Sequence, residues 1–121
     1  MPSRARFGLL WAVLGLMTVV LSLLPGGGDW LGRWTSAGHL PAYAVLTAAG
    51  AWARPGLLAS RGASLALAAA GALLLGVSME LLQPLFGRQA SWLDLGLNML
   101  GVGLGLVLAE LGWQRYARVG G

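Results

Sequence analysis

The sequence predicts an all-α membrane protein, a bundle of four transmembrane helices with both termini in the cytoplasm. Composition gives the first reason: of 121 residues, 57% are hydrophobic and 10% charged, and the mean hydropathy is +0.73, too apolar for an ordinary water-soluble domain. The second is that the apolar residues form four runs separated by short breaks containing Pro, Gly and Arg. The third is that every basic residue is an arginine, standing singly or in loose pairs at the ends of those runs. That distribution is a membrane-topology signal, and it lacks the clustered basic face that nucleic acid requires. The absence of cysteine excludes disulfides, thiolate metal sites, thiol nucleophiles and palmitoylation together.

The chain reads as a single domain over residues 1–121. After a basic leader, Met1 to Arg6, the run Phe7 to Leu24 is uncharged. A cleaved signal peptide would have a shorter apolar region, roughly 7–15 residues, and a small-residue cleavage site; residues 7–24 are therefore predicted to be a retained first span. Pro25 to Ser36, with Asp29, Trp30, Arg33 and Trp34, is expected to be an interfacial loop, because indole rings settle at the headgroup level. The second span is predicted over residues 37–53, short for a bilayer that asks for about 20 residues. Pro41 would sit in its first turn, where a missing N–H costs little, and Arg54-Pro55-Gly56 ends it. The third span is expected at 63–83, with Glu80 near its far end. Pro84 to Ser91 reads as a hairpin loop, and the fourth span follows at 92–112.

Orientation follows from the arginines, which are retained on the cytoplasmic side. Four spans place Arg4, Arg6, Arg54, Arg61, Arg115 and Arg118 on one side and only Arg33 and Arg88 on the other. Trp52 and Trp113 then fall at inner helix ends and Trp30, Trp34 and Trp92 at outer ones, while Trp11 is deeper and uninformative. The expected location is a bacterial cytoplasmic membrane.

Alternating helix direction brings the start of the second span, the end of the third and the start of the fourth to one membrane face. His39, Tyr43, Glu80, Gln83, Arg88, Asp94 and Asn98 converge there, and the opposite half is expected to hold almost no polar side chains beyond small hydroxyls. At about 100° per residue, Gly76, Glu80 and Gln83 share one helical stripe, and Asp94, Asn98, Gly101 and Gly105 share another. Each member also has a structural reading. Ser91-x-x-Asp94 fits a capping box, Gly101-x-x-x-Gly105 fits close helix packing, and Asn98 and Gln83 can be interhelical glue. His39 can be a hydrogen-bonded interfacial residue, Tyr43 an aromatic-belt residue, and Glu80 a structural partner of Arg88. A carboxylate inside a span is nevertheless costly, which marks Glu80 as a site residue by default.

The pattern Glu80-x-x-Gln83, Gly87-Arg88, Ser91, Asp94, Asn98 and Gly101, preceded by His39-Leu40-Pro41-Ala42-Tyr43, resembles the VanZ-like family of small bacterial membrane proteins over about Ser36 to Gly105. The family often carries an Asp-Lys pair before the His, where this chain has Thr35-Ser36, so a charge relay there is not carried over. Founding members of the family are associated with low-level resistance to teicoplanin-type glycopeptides. The resemblance therefore implies an envelope role at the outer leaflet, with His39, Tyr43, Glu80, Gln83, Arg88, Ser91, Asp94 and Asn98 as the motif residues.

Three functions remain open at this point. The polar face could bind an amphipathic envelope molecule such as a lipid-linked precursor, a lipid headgroup or a lipoglycopeptide, with Arg88 on its anionic group. The protein could be an intramembrane enzyme using His39 and Glu80 as base and acid, in one version around a divalent ion held by Glu80 and Asp94 with amide oxygens. A small proton-coupled exporter fits less well, since its acid belongs in the first helix and residues 7–24 have none; a structural accessory subunit is the bland alternative. Membrane lipids are the expected partners and nucleic acid is not. No cofactor or resident metal is predicted, and the sequence leaves the oligomeric state open.

Overall fold

The computed structural model describes residues 4–23, 29–53, 60–87 and 92–120, with the backbone alone described over 29–36 and at 120. All regular structure among these residues is helical: α1 (Arg4–Leu23), α2 (Asp29–Ala53), α3 (Arg61–Leu82), a 3-10 turn (Gln83–Phe86) and α4 (Trp92–Gly120). By length and composition α1, α3 with its 3-10 turn, and α4 can each cross a bilayer. The helix outside that set is α2, although its 25 residues reach about 37 Å at ~1.5 Å per residue, more than the ~30 Å of a hydrocarbon core.

The lower apolarity of α2 goes with its position. It packs against α1, α3 and α4, its interface with α4 is the most extensive in the bundle, and α1 and α4 do not touch among the described residues. Tyr43, Ala44, Leu46, Thr47, Ala48, Ala49 and Ala51 are all buried. A helix enclosed on this scale meets protein where the outer helices meet lipid. The exposed large apolar side chains are found mainly on those outer helices, including Leu9, Leu16 and Leu21 of α1, Leu74 and Leu81 of α3, and Leu100, Val107 and Leu111 of α4.

Small residues set the α2–α4 distance. A methyl group at Gly101 would lie 2.5 Å from the Leu40 carbonyl oxygen and 3.0 Å from Tyr43 Cβ; one at Gly105 would lie 2.5 Å from the Ala44 carbonyl oxygen and 2.7 Å from Thr47 Cβ. These are backbone obstacles with little freedom to yield. The stripe continues downward, since a methyl at Gly112 would meet the Trp52 ring at 2.6 Å, and Trp52 Nε1 donates to the Ala109 carbonyl oxygen at 3.2 Å. The predicted Gly101-x-x-x-Gly105 motif thus packs α4 onto α2 of the same chain. Trp11, uninformative in the sequence, lies against Gly50 across the α1–α2 interface, 3.0 Å from where a methyl would stand.

Several expected boundaries are corrected. Residues 29–36, expected to be an interfacial loop, are the first turns of α2. Pro41 accordingly lies inside the helix and not in its first turn, so the Ala37 carbonyl loses its usual i+4 donor, a change that bends helices. The third helix starts at Arg61, with Ser60 as cap: Ser60 Oγ accepts from the Ala63 N–H at 3.1 Å. Part of the predicted 84–91 hairpin loop is a 3-10 turn closed by Gly87, whose φ of 77° suits glycine. The fourth helix runs to Gly120, beyond the predicted end at 112. Its 29 residues span about 44 Å, so its last turns extend past a ~30 Å core.

The glycine stripe yields a stability prediction. Gly101→Ala and Gly105→Ala should each cost about 1–3 kcal/mol through overpacking. Gly103→Ala, with open space around it, should be neutral or slightly stabilising. Thermal unfolding of the three variants in detergent checks this, and equal melting temperatures would show that the α2–α4 spacing does not limit stability.

Candidate functional site

One end of the bundle brings together side chains from α2, α3 and α4. His39 and Tyr43 are one turn apart on α2, and their rings lie nearly parallel, at an interplanar angle of 4° with centroids 6.1 Å apart. From α4, Asn98 Oδ1 lies 2.6 Å from His39 Nδ1. An amide oxygen can only accept, so Nδ1 carries the proton and donates. His39 Nε2 then faces Asp94, 3.9 Å from Oδ2, an electrostatic contact longer than a hydrogen bond. On α3, Gly76 leaves room for this arrangement: a methyl there would lie 2.9 Å from Asn98 Nδ2 and 3.4 Å from Tyr43 Cε1. One turn further along α3, Glu80 is buried.

The same stripe that lets α4 approach α2 therefore presents Asp94 and Asn98 to His39. Local sequence explains the order: Asp94 is in the first turn of α4, Asn98 one turn later, and the glycines follow where the backbones meet. Six of the eight predicted site residues, His39, Tyr43, Glu80, Gln83, Asp94 and Asn98, are buried at this end. Gln83 differs in direction. It is fully buried, and its Nε2 donates to the Ser22 carbonyl oxygen at 3.2 Å, tying the end of α3 to the end of α1. Arg88 and Ser91 lie outside the described residues, as do the expected Glu80–Arg88 pair and the Ser91 half of the capping box.

Buried polar atoms normally find partners. Among the described residues, Tyr43 Oη, Asn98 Nδ2, Gln83 Oε1 and, one turn deeper on α2, Thr47 Oγ1 have no protein hydrogen bond. The cluster thus keeps both donors and acceptors in reserve. His39, oriented at Nδ1 by a neutral amide and flanked at Nε2 by a carboxylate, has the setting in which an imidazole moves protons. Among the described residues no group of three or more His, Cys, Asp or Glu could hold a metal ion.

The other end is not as apolar as expected. Glu110 of α4 accepts from Arg61 of α3 at 3.1 Å and from Gln114 at 3.1 Å, and the Arg61 guanidinium lies 5.0 Å from the centre of the Trp113 ring. Phe7 and Trp52 meet at 5.2 Å nearby. The signal for this cluster was present in the sequence: Glu110 precedes Gln114 by one helical turn, a pairing distance on a helix, and the alternation of helices puts Arg61 at the same end. The pair is exposed, 44% and 36% for the two side chains, and exposed ion pairs contribute about 0–1 kcal/mol.

No family model, curated protein or solved structure matches the chain.

The 2.6 Å contact generates a measurable expectation. A double-mutant cycle on His39→Ala and Asn98→Ala, followed by unfolding in detergent, should give a coupling of about 0.6 kcal/mol and no more than ~1.7, the range for hydrogen bonds between membrane helices. Strict additivity would mean that the contact contributes nothing to holding α2 on α4.

Proposed function

We propose that this chain is a four-span protein of a bacterial cytoplasmic membrane, with both termini inside, and that its polar end faces outward and binds or modulates an amphipathic envelope molecule. The observation that carries the reading is the burial of His39, Tyr43, Glu80, Asp94 and Asn98 from three helices at the end away from Arg61, Arg115 and Arg118. Ionisable groups within spans are expensive and are kept for function. The hydrogen-bonding capacity left on Tyr43 and Asn98 supplies contacts for a polar headgroup, and Arg88 from the adjoining segment supplies a cation for its phosphate or carboxylate. The resemblance to the VanZ-like family supports the same reading and narrows the ligand to a lipid-linked wall precursor, a lipid headgroup or a lipoglycopeptide. Enclosure in the bundle supports α2 as the fourth span despite its polar first turns.

A second reading has its own observation. The Asn98–His39–Asp94 arrangement fits an intramembrane enzyme in which His39 exchanges a proton with a headgroup or lipid-linked sugar. Asp94 lies 3.9 Å from His39 Nε2, whereas the sequence paired His39 with Glu80. Mass spectrometry of the gently extracted protein separates the two: a co-purified lipid retained unchanged favours binding, and its conversion during incubation favours the enzyme.

Topology is tested on a chain that has no native cysteine. Single cysteines at Ser3, Ser60 and Gly120 should resist a membrane-impermeant thiol reagent in intact cells, and one at Gln89 should react. Labelling at Ser60 with protection at Gln89 would invert the orientation.

Function is tested by expression in a susceptible Gram-positive host. Tolerance to lipid-tailed glycopeptides of the teicoplanin type should rise modestly, and tolerance to vancomycin much less. His39→Ala, Glu80→Gln and Arg88→Ala should abolish the effect at unchanged expression. Gly71→Ala, on α3 in open space, should leave it intact. Tolerance that survives all three site changes would remove the polar cluster as its cause.

A further inference from the structure

The end of the bundle opposite the polar cluster is strongly and unevenly charged. Among the described side chains it holds Arg4, Arg6, Arg61, Arg115 and Arg118 against a single carboxylate, Glu110. The contacts already described place the start of α1, the end of α2, the start of α3 and the end of α4 at this level. Glu110 is committed to Arg61 and Gln114, and Arg61 also lies over Trp113. Arg4, Arg115 and Arg118 are exposed and make no ion pair among the described residues.

Trp52 and Trp113 lie at this end, and indole rings are enriched at the headgroup level of a bilayer. Beyond Trp113, α4 continues as helix to Gly120, which carries Arg115 and Arg118 about 3 and 8 Å further along the axis. Three residues apart, they share one side of the helix. Part of their charge is used locally, since cations at a helix C-terminus complement the backbone dipole. That effect is confined to the last turn and does not need a pair of arginines together with Arg4 on a helix that α4 does not touch.

We propose that this end is a binding surface for anionic phospholipid headgroups, held by Arg115 and Arg118 of α4 with Arg4 of α1, while Arg61 is withheld to close α3 on α4. Charge complementarity names the occupant: phosphodiester groups lie at the depth of these turns, and guanidinium binds phosphate oxygens in a bidentate fork. The surface is at the far end from the polar cluster and does not depend on the function proposed for that cluster.

The full chain in a neutral maltoside detergent, titrated with phosphatidylglycerol or phosphatidylcholine and followed by thermal unfolding, tests the assignment. Phosphatidylglycerol should raise the melting temperature more than phosphatidylcholine. Each arginine removed should move the phosphatidylglycerol midpoint about fivefold to higher lipid, so the R115Q/R118Q double variant moves about 25-fold. Arg61→Gln should lower the lipid-free melting temperature and leave the midpoint in place, and Gly103→Ala, in open space on α4, should titrate like the unmodified protein. The proposal is overturned if both lipids act alike, if the double variant titrates normally, or if only Arg61→Gln moves the midpoint. Should the double variant not survive extraction, the unmodified protein decides: at about 1 M salt, where the screening length is ~3 Å, the preference for phosphatidylglycerol must largely disappear, and a salt-insensitive preference overturns the proposal.

Discussion

The structure depends on how closely α4 approaches α2. Inside a bilayer there is no water to expel between helices, so association rests on packing and interhelical hydrogen bonds. At Gly101 and Gly105 the backbone of α4 lies directly on the carbonyls of Leu40 and Ala44, a separation that no side chain on the stripe would permit. The contacts of His39 with α4 are placed by that approach. One turn before Gly101, Asn98 is brought within hydrogen-bonding distance of His39, and one turn before that Asp94 comes up beside the other ring nitrogen. A wider bundle would leave the same residues facing one another across a gap.

The convergence itself was readable, because it rests on helical spacing and on alternation of direction, both of which survive errors of several residues at the boundaries. His39, Tyr43, Glu80, Asp94 and Asn98 are buried at one end as the periodicity requires. Pairings within the cluster were not readable. Spacing puts residues on a face, but whether His39 meets Glu80 or Asp94 depends on the rotation of α3 and α4 about their axes, and that rotation is set by Gly76, Gly101 and Gly105 meeting particular atoms. Gln83 shows the same limit: its stripe is shared with Glu80, yet its amide turns toward Ser22 on α1.

Boundary errors have a different origin. Asp29, Trp30, Arg33 and Trp34 read as a headgroup-zone loop because hydropathy registers polarity and is blind to enclosure or to helical backbone in an interfacial setting. Residues 29–36 are helical nonetheless. The end of α4 was drawn at Gly112 for the same reason, although Arg115 and Arg118 are compatible with helix and favour its C-terminus. Glu110 is harder to find from sequence because its partner, Arg61, is remote in sequence.

The position of α2 bears on how the protein is made. His39, Tyr43 and Thr47 are buried in the assembled bundle, but during synthesis α2 emerges before α3 and α4 exist. At that stage it is the segment with least affinity for hydrocarbon, and its side chains that later face neighbours would face lipid. Its place in the bundle is therefore conditional on assembly: α1 alone covers one flank, and the end of α2 that carries His39 and Tyr43 becomes fully enclosed only when α4 arrives. Bundle assembly and formation of the polar cluster are thus one event, completed when α4 packs onto α2.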